Sequence, residues 1–118
     1  AYKTIEKGGT FIYANIHPCR VLVSTDQKGS VLATPREKIN YFDIQEIKSV
    51  LVSSTTTTTT TDYYNHPLEF VINSLTGAGF EIKKVHEPKA TKEELRRYSS
   101  FLSNEDKVIS YLIVECEK

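Results

Sequence analysis

At 118 residues the chain is the size of one small domain, able to bury roughly two-thirds of its unfolded surface around a single core. With 15 basic and 15 acidic residues the formal net charge is zero, so no electrostatic bias favours nucleic acid or an anionic membrane. No apolar run approaches the roughly 18 residues of a membrane span and no secretory leader is visible. Cys19 and Cys116 lack metal-type or redox-type spacing, so free thiols in a reducing cytoplasm are expected.

In chain order, residues Ala1 to Glu6 read as the end of a helix stopped by Lys7-Gly8-Gly9. Thr10 to Ile16 is β-branched, aromatic and apolar on both faces, the pattern of an interior strand. A second apolar stretch, Arg20 to Ser24, runs into the turn signal Asp26-Gln27-Lys28-Gly29, and Val31 to Ala33 is placed to pair back across it. Residues Pro35 to Asp62 are the least regular. Ile47 to Val52 has strand composition and leads into Thr55 to Thr61, a tract that reads as either a solvated strand or a mobile loop.

From His66 the pattern sharpens. Pro67 suits a first helical position and Glu69 a first turn. Leu68, Val71, Ile72 and Leu75 form one apolar stripe, which Gly77 and Gly79 bring to a stop. Phe80 to Val85 reads as a strand whose Lys83 and Lys84 suit a sheet edge. Thr91 to Glu94 has capping-box spacing for a short helix to about Tyr98, Ser103 to Asp106 is a loop, and Val108 to Val114 reads as a strand flanked on both sides. A strand–helix–strand unit implies parallel pairing through a right-handed crossover, which leaves room for the last strand to insert between the two, antiparallel to both.

Several short motifs carry a resemblance. Lys7-Gly8-Gly9-Thr10-Phe11-Ile12, then Ile16-His17-Pro18-Cys19, Tyr41-Phe42, Tyr64-Asn65-His66-Pro67-Leu68, Ala78-Gly79-Phe80-Glu81-Ile82 and His86-Glu87-Pro88-Lys89 follow one another. In this order they resemble the C-terminal portion of a class I S-adenosylmethionine-dependent methyltransferase of a subgroup acting on small molecules. Asn65 and His66 stand where that subgroup usually has histidine and arginine, so a fixed positive charge for carboxylate binding is lost there. The resemblance implies an α/β fold: a partial Rossmann-like sheet in the family's order 5-7-6 with an antiparallel last strand, plus a long irregular or β insert. It implies one domain over 1–118, made of residues 1–18, the insert or lid 19–64, and residues 65–118. It also implies S-adenosylmethionine as cofactor, with the binding residues absent from this chain. Gly8-Gly9 precedes a strand, and Gly77 and Gly79 follow a helix, whereas the cofactor's glycine-rich turn links a strand to a helix.

Four residues are candidates for a substrate-binding wall: His17, Tyr41, Tyr64 and His66. His17 leaves a strand at the end where open α/β sheets place ligands, as a base or as a turn cap held by Pro18. His66 faces a substrate or caps its helix. Tyr63, Tyr64, Tyr41 and Phe42 line a pocket or pack the insert onto the sheet. Cys19 has no evident base. His86 and Glu87 are read as surface residues.

Two function classes follow. The first is the substrate-side wall and lid of a methyltransferase that neither binds its cofactor nor catalyses alone. Its missing N-terminal half would lie on another chain, or a homo-oligomer would form through strand Thr10 to Ile16. The second is a non-enzymatic regulatory or assembly subunit. A looser resemblance of Val21 to Thr25 and Tyr63 to Phe80 to GTP cyclohydrolase feedback regulatory protein points the same way. A standalone hydrolase lacks Ser-His-Asp or metal-ligand spacing.

Overall fold

A computed structural model describes residues 1–23, 30–32, 36–52, 58–97 and 109–118, with side-chain surroundings described for 1–22, 37–48, 62–97 and 109–118. The turn expected at 26–29, the threonines at 55–57, Tyr98 and the loop at 103–106 lie outside these residues. Among the described residues there are two three-stranded sheets.

The first sheet contains β1 (Thr10–Ile16), β5 (Glu81–His86) and β6 (Tyr111–Glu117), in the order β1-β6-β5. β6 is antiparallel to both neighbours, with Thr10 opposite Glu117 and Ile16 opposite Tyr111 on one side. β1 and β5 therefore point the same way. A register shift between Ile82 and Lys84 interrupts the β5–β6 ladder. The last strand was expected over Val108 to Val114. It is Tyr111–Glu117, as long as expected but displaced by three residues, because its bounds are set by the ladder from Ile16 back to Thr10 and not by where the apolar run stops.

One face of this sheet forms the core. Leu112, Val114 and Cys116 alternate along β6 and are at most 1% exposed, each larger side chain stabilising the fold by roughly 1.5–3 kcal/mol through burial. Helix α2 (Leu68–Gly77) lays Val71 and Leu75 on them. The expected stripe is thus the buried one, while Pro67 caps the helix from outside: its ψ of 150° is extended, although its carbonyl already accepts the Val71 amide. Phe80 closes the cluster, stacked on Phe11 at 4.9 Å and edge-on to Tyr2 at 5.0 Å. The N-terminal segment is a single 3-10 turn, Tyr2–Thr4. It is tied to the chain's end by the Lys118 ammonium, which donates to the Tyr2 carbonyl at 2.8 Å and sits over its ring.

The opposite face is different. Ile12, Ala14 and Ile16 oppose Glu115, Ile113 and Tyr111, and directly paired residues share a face of the pleat. Ile12 is 61% and Tyr111 56% exposed. β1 was expected to be an interior strand; among the described residues it has a neighbour only on the β6 side.

The second sheet is an antiparallel meander, β2 (Ser30–Leu32), β3 (Gln45–Val52) and β4 (Thr58–Asn65), within the segment between β1 and α2. Thr58 to Thr61 therefore take the strand alternative. The expected pairing of Arg20 to Ser24 with Val31 to Ala33 is not observed. Arg20–Val23 is a helical turn, α1, and Ser30–Leu32 pairs with Ser49–Leu51 instead. A four-residue apolar run carries no period that separates helix from strand, and the longer β3 offers more ladder. Helix α3 (Lys92–Arg97) opens on the expected capping box, the Thr91 hydroxyl accepting the Glu94 amide and the Glu94 carboxylate accepting the Thr91 amide.

Candidate functional site

The C-terminal ends of the parallel strands β1 and β5 lie at one edge of the first sheet, beside the start of β6. Both exits are X-Pro steps, His17-Pro18 and Glu87-Pro88, and proline holds the preceding residue in an extended conformation. His17 and Glu87 therefore leave their strands alike and meet each other, with His17 bonded to the backbone of Ser110.

His17 is only 2% exposed. Its amide donates to the Ser110 carbonyl at 3.0 Å, and its Nδ1 accepts the Cys19 amide at 3.1 Å. An accepting Nδ1 assigns the ring proton to Nε2. Nε2 lies 2.6 Å from the Glu87 carboxylate, whose side chain is half exposed. The approach is close but not aligned as a hydrogen bond, so Nε2 is a buried polar atom without a well-directed partner. Arg20, from α1, donates through Nη1 to the Ile109 carbonyl at 3.1 Å and the Ser110 hydroxyl at 3.0 Å. This ties the start of the insert to the start of β6. Burial pushes the Tyr63 hydroxyl pKa up, partly offset by the Arg20 charge, so the phenol stays protonated.

The other candidates separate into two places. Tyr64 and His66 join Ile16, Pro18 and Asn65 around a crevice of about 20 Å³ next to the β1 exit, space for a water and not for a substrate. Within it Asn65 is buried and donates to the Pro18 carbonyl at 3.3 Å, joining the end of β4 to the end of β1. The His66 ring stacks on Phe70 at 4.9 Å. Tyr41 lies elsewhere: its hydroxyl accepts the Leu68 amide at 3.0 Å, satisfying an otherwise orphaned donor at the start of α2. Phe42, 81% exposed, borders an open groove of about 490 Å³ with Ile44, Phe70 and Glu69 on the outward side of α2.

Glu87 and Arg20 were not among the sequence candidates; Glu87 lies at the surface as expected, and what the sequence did not show is its contact with His17. The repeated X-Pro exit was the available signal. No cluster of three or more metal-ligating side chains occurs among the described residues. No helix among them is long and apolar enough to cross a membrane.

Gly8, Gly9 and Gly79 are taken up by the chain's own turns and packing. Gly8 has φ +82° in a turn whose amide donates to the Lys118 carbonyl. A side chain at Gly9 would meet Ile5 at 2.5 Å, and one at Gly79 would meet the Tyr2 ring at 2.8 Å. Each of these positions is already occupied by the chain's own packing or turn bonding, and none opens a helix after a strand.

No protein-family model matches the sequence, and no curated protein matches it. Solved structures do. A candidate S-adenosylmethionine-dependent methyltransferase from Listeria monocytogenes superposes with a TM-score of 0.66 at 22% identity, over 99% of this chain and 51% of that one. An S-adenosylmethionine-dependent methyltransferase from Mesorhizobium loti superposes with a TM-score of 0.55 at 14% identity, over 96% of this chain and 50% of that one. The chain therefore has an α/β fold of the kind seen in these methyltransferases, and it spans about half the length of the structures it matches.

Proposed function

We propose that this chain is the C-terminal part of an S-adenosylmethionine-dependent methyltransferase acting on a small molecule. It supplies the substrate-side wall and, through residues 19–64, a lid. In this reading β1, β6 and β5 correspond to strands five, seven and six of the family's sheet. S-adenosylmethionine is held by the half that this chain lacks. The observation that carries the reading is the superposition of nearly the whole chain on half of two methyltransferase structures.

Two physical features support it. The β1 edge presents backbone groups without a strand partner among the described residues, and a bare edge recruits another strand. The adjoining face carries Ile12, Ile16 and Tyr111 in the open, although sheets of this class are covered on both sides. The missing half, or a second copy, docks along Thr10 to Ile16. The free thiols Cys19 and Cys116 fit a reducing cytoplasm.

The test is isothermal titration of S-adenosylmethionine and S-adenosylhomocysteine, first into this chain and then into a protein that also carries the N-terminal half. The expected result is no binding to the chain and micromolar binding once both halves are present. Micromolar binding to the monomeric chain would overturn the reading. The same exposed edge and face would serve a non-catalytic assembly subunit, and failure of the two-half protein to bind either ligand selects that role.

A further inference from the structure

We propose that Glu87 is the ligand-facing group of the strand-end site, accepting a hydrogen bond from an amine or hydroxyl of the bound molecule, and that His17 is the positioning residue behind it. This deepens the substrate-site reading above and rests on its placement at the strand ends.

The argument starts from accessibility. His17 lies at the right end of the sheet to meet a ligand, but its ring is buried and held at Nδ1 by the Cys19 amide. The remaining nitrogen faces the Glu87 carboxylate at 2.6 Å. Glu87 is the member of the pair that reaches outward, with its side chain half exposed. An ionised carboxylate has about four lone-pair directions. His17 approaches one oxygen, Oε2, which leaves acceptor capacity directed away from the ring. The location agrees independently: Glu87 directly follows β5 and His17 directly follows β1, at the carboxyl ends of parallel strands where open α/β sheets take ligands. A carboxylate only accepts hydrogen bonds, so the ligand must present N–H or O–H. A carboxylate or phosphate would be repelled.

The pair also has an energetic asymmetry. A buried donor without a well-directed acceptor is costly, and His17 Nε2 is such a donor. A ligand that draws the Glu87 carboxylate into line with the N–H removes that cost, so ligand binding and the His17–Glu87 bond strengthen together.

The experiment is an amide NMR titration of the full chain with ethylammonium chloride. Tetramethylammonium chloride controls for charge without N–H, and sodium acetate controls for an anion. A ligand this small binds in the millimolar range at best. The expected result is saturable shifts at Cys19, Glu87 and Ser110 with ethylammonium alone, and affinity weakened about tenfold in Glu87→Gln. His17→Gln, which keeps a donor, retains binding. His17→Phe, which fills the space without one, loses it while amides in β1 and β6 stay unshifted. Absence of saturable shifts, equal shifts with tetramethylammonium, or undiminished binding in Glu87→Gln would overturn the proposal. The readout involves neither S-adenosylmethionine nor the second half, so its failure is separable from failure of the methyltransferase reading.

Discussion

The two sheets of this molecule are built on opposite principles. The meander β2-β3-β4 joins strands that follow one another, with Gln45 opposite Asn65 at its outer rung. The sheet β1-β6-β5 is closed by pairing Thr10 with Glu117, nearly the full length of the chain apart. Loop closure costs more entropy for distant partners, and non-local pairing is slow to form. The local sheet can therefore assemble early, whereas the sheet that frames the candidate site requires almost the whole chain. The site lies where they meet: Asn65 ends β4 and bonds to Pro18, and Arg20 bonds to the backbone before β6.

Truncating the central strand is the largest way to break the contrast. Leu112→Ala removes a fully buried side chain from β6 and is expected to cost about 2–5 kcal/mol. Denaturant unfolding should show the loss, with amide protection falling in both sheets. Ile47→Ala, at the one fully buried described position of β3, should cost a similar amount locally but raise exchange only in the meander. If it also raises exchange in β1 and β6, the sheets form one cooperative unit and the contrast fails.

Two glycines test the chain-end lock on the first sheet. Gly79→Ala combines φ +111° with a Cβ 2.8 Å from the Tyr2 ring, so overpacking adds to backbone strain and the loss should exceed about 2 kcal/mol. Gly8→Ala is strained at φ +82° but meets nothing within 4 Å, so its loss should be confined to about 1–2 kcal/mol of backbone strain. Thermal melts of the pair would reverse this order if Tyr2 is not packed as described.

Thiol labelling gives a smaller, sharper readout. Burial pushes the Cys116 thiol pKa up, and its side chain is fully covered in the first sheet. Cys19, at the junction, is partly exposed. A native-state label is therefore expected on Cys19 first, with Cys116 reacting only on unfolding; simultaneous reaction would mean that the β6 core opens readily.

The smallest effect is at α3. Hydrogen bonds from the Thr91 backbone and hydroxyl region hold the Glu94 carboxyl below its ordinary value of 4.5. A depressed carboxylate contributes stability that is present above that value and lost as pH falls through the folded one. The amides of Lys92 to Arg97 should thus lose helical shifts on acidification below the ordinary carboxylate range. In Thr91→Ala the helix should be frayed already at neutral pH, with a weaker acid dependence. An unchanged profile in that variant would show that the box does not hold the helix.

Parts of the fold were legible because they depend on neighbours in sequence. The stripe Leu68, Val71, Ile72 and Leu75 needs only a helical period, and Thr91 with Glu94 needs only three-residue spacing. The last strand was visible as an apolar run, but neither its one-sided burial nor its end at Glu117 was, since a glutamate on the half-exposed face carries no strand signal without its partner Thr10. Of the candidate residues, His17, Tyr64 and His66 fall around the β1 exit, whereas the Tyr41 hydroxyl serves the start of α2. A tyrosine's bonding partner is a matter of which amide the fold leaves orphaned.

Composition, period and turn chemistry, all short-range properties, were enough to define the apolar stripe of α2, the capping box of α3 and the strand character of β1, while the α/β order with a central last strand rested on the resemblance as well. Tertiary structure alone decided that Arg20–Val23 is helical, that Ser30–Leu32 pairs with β3, and that Glu87 stands against His17. Each of those outcomes is a competition between partners distant along the chain. Its winner is fixed by the geometry of strand ends and by which buried polar groups remain to be satisfied.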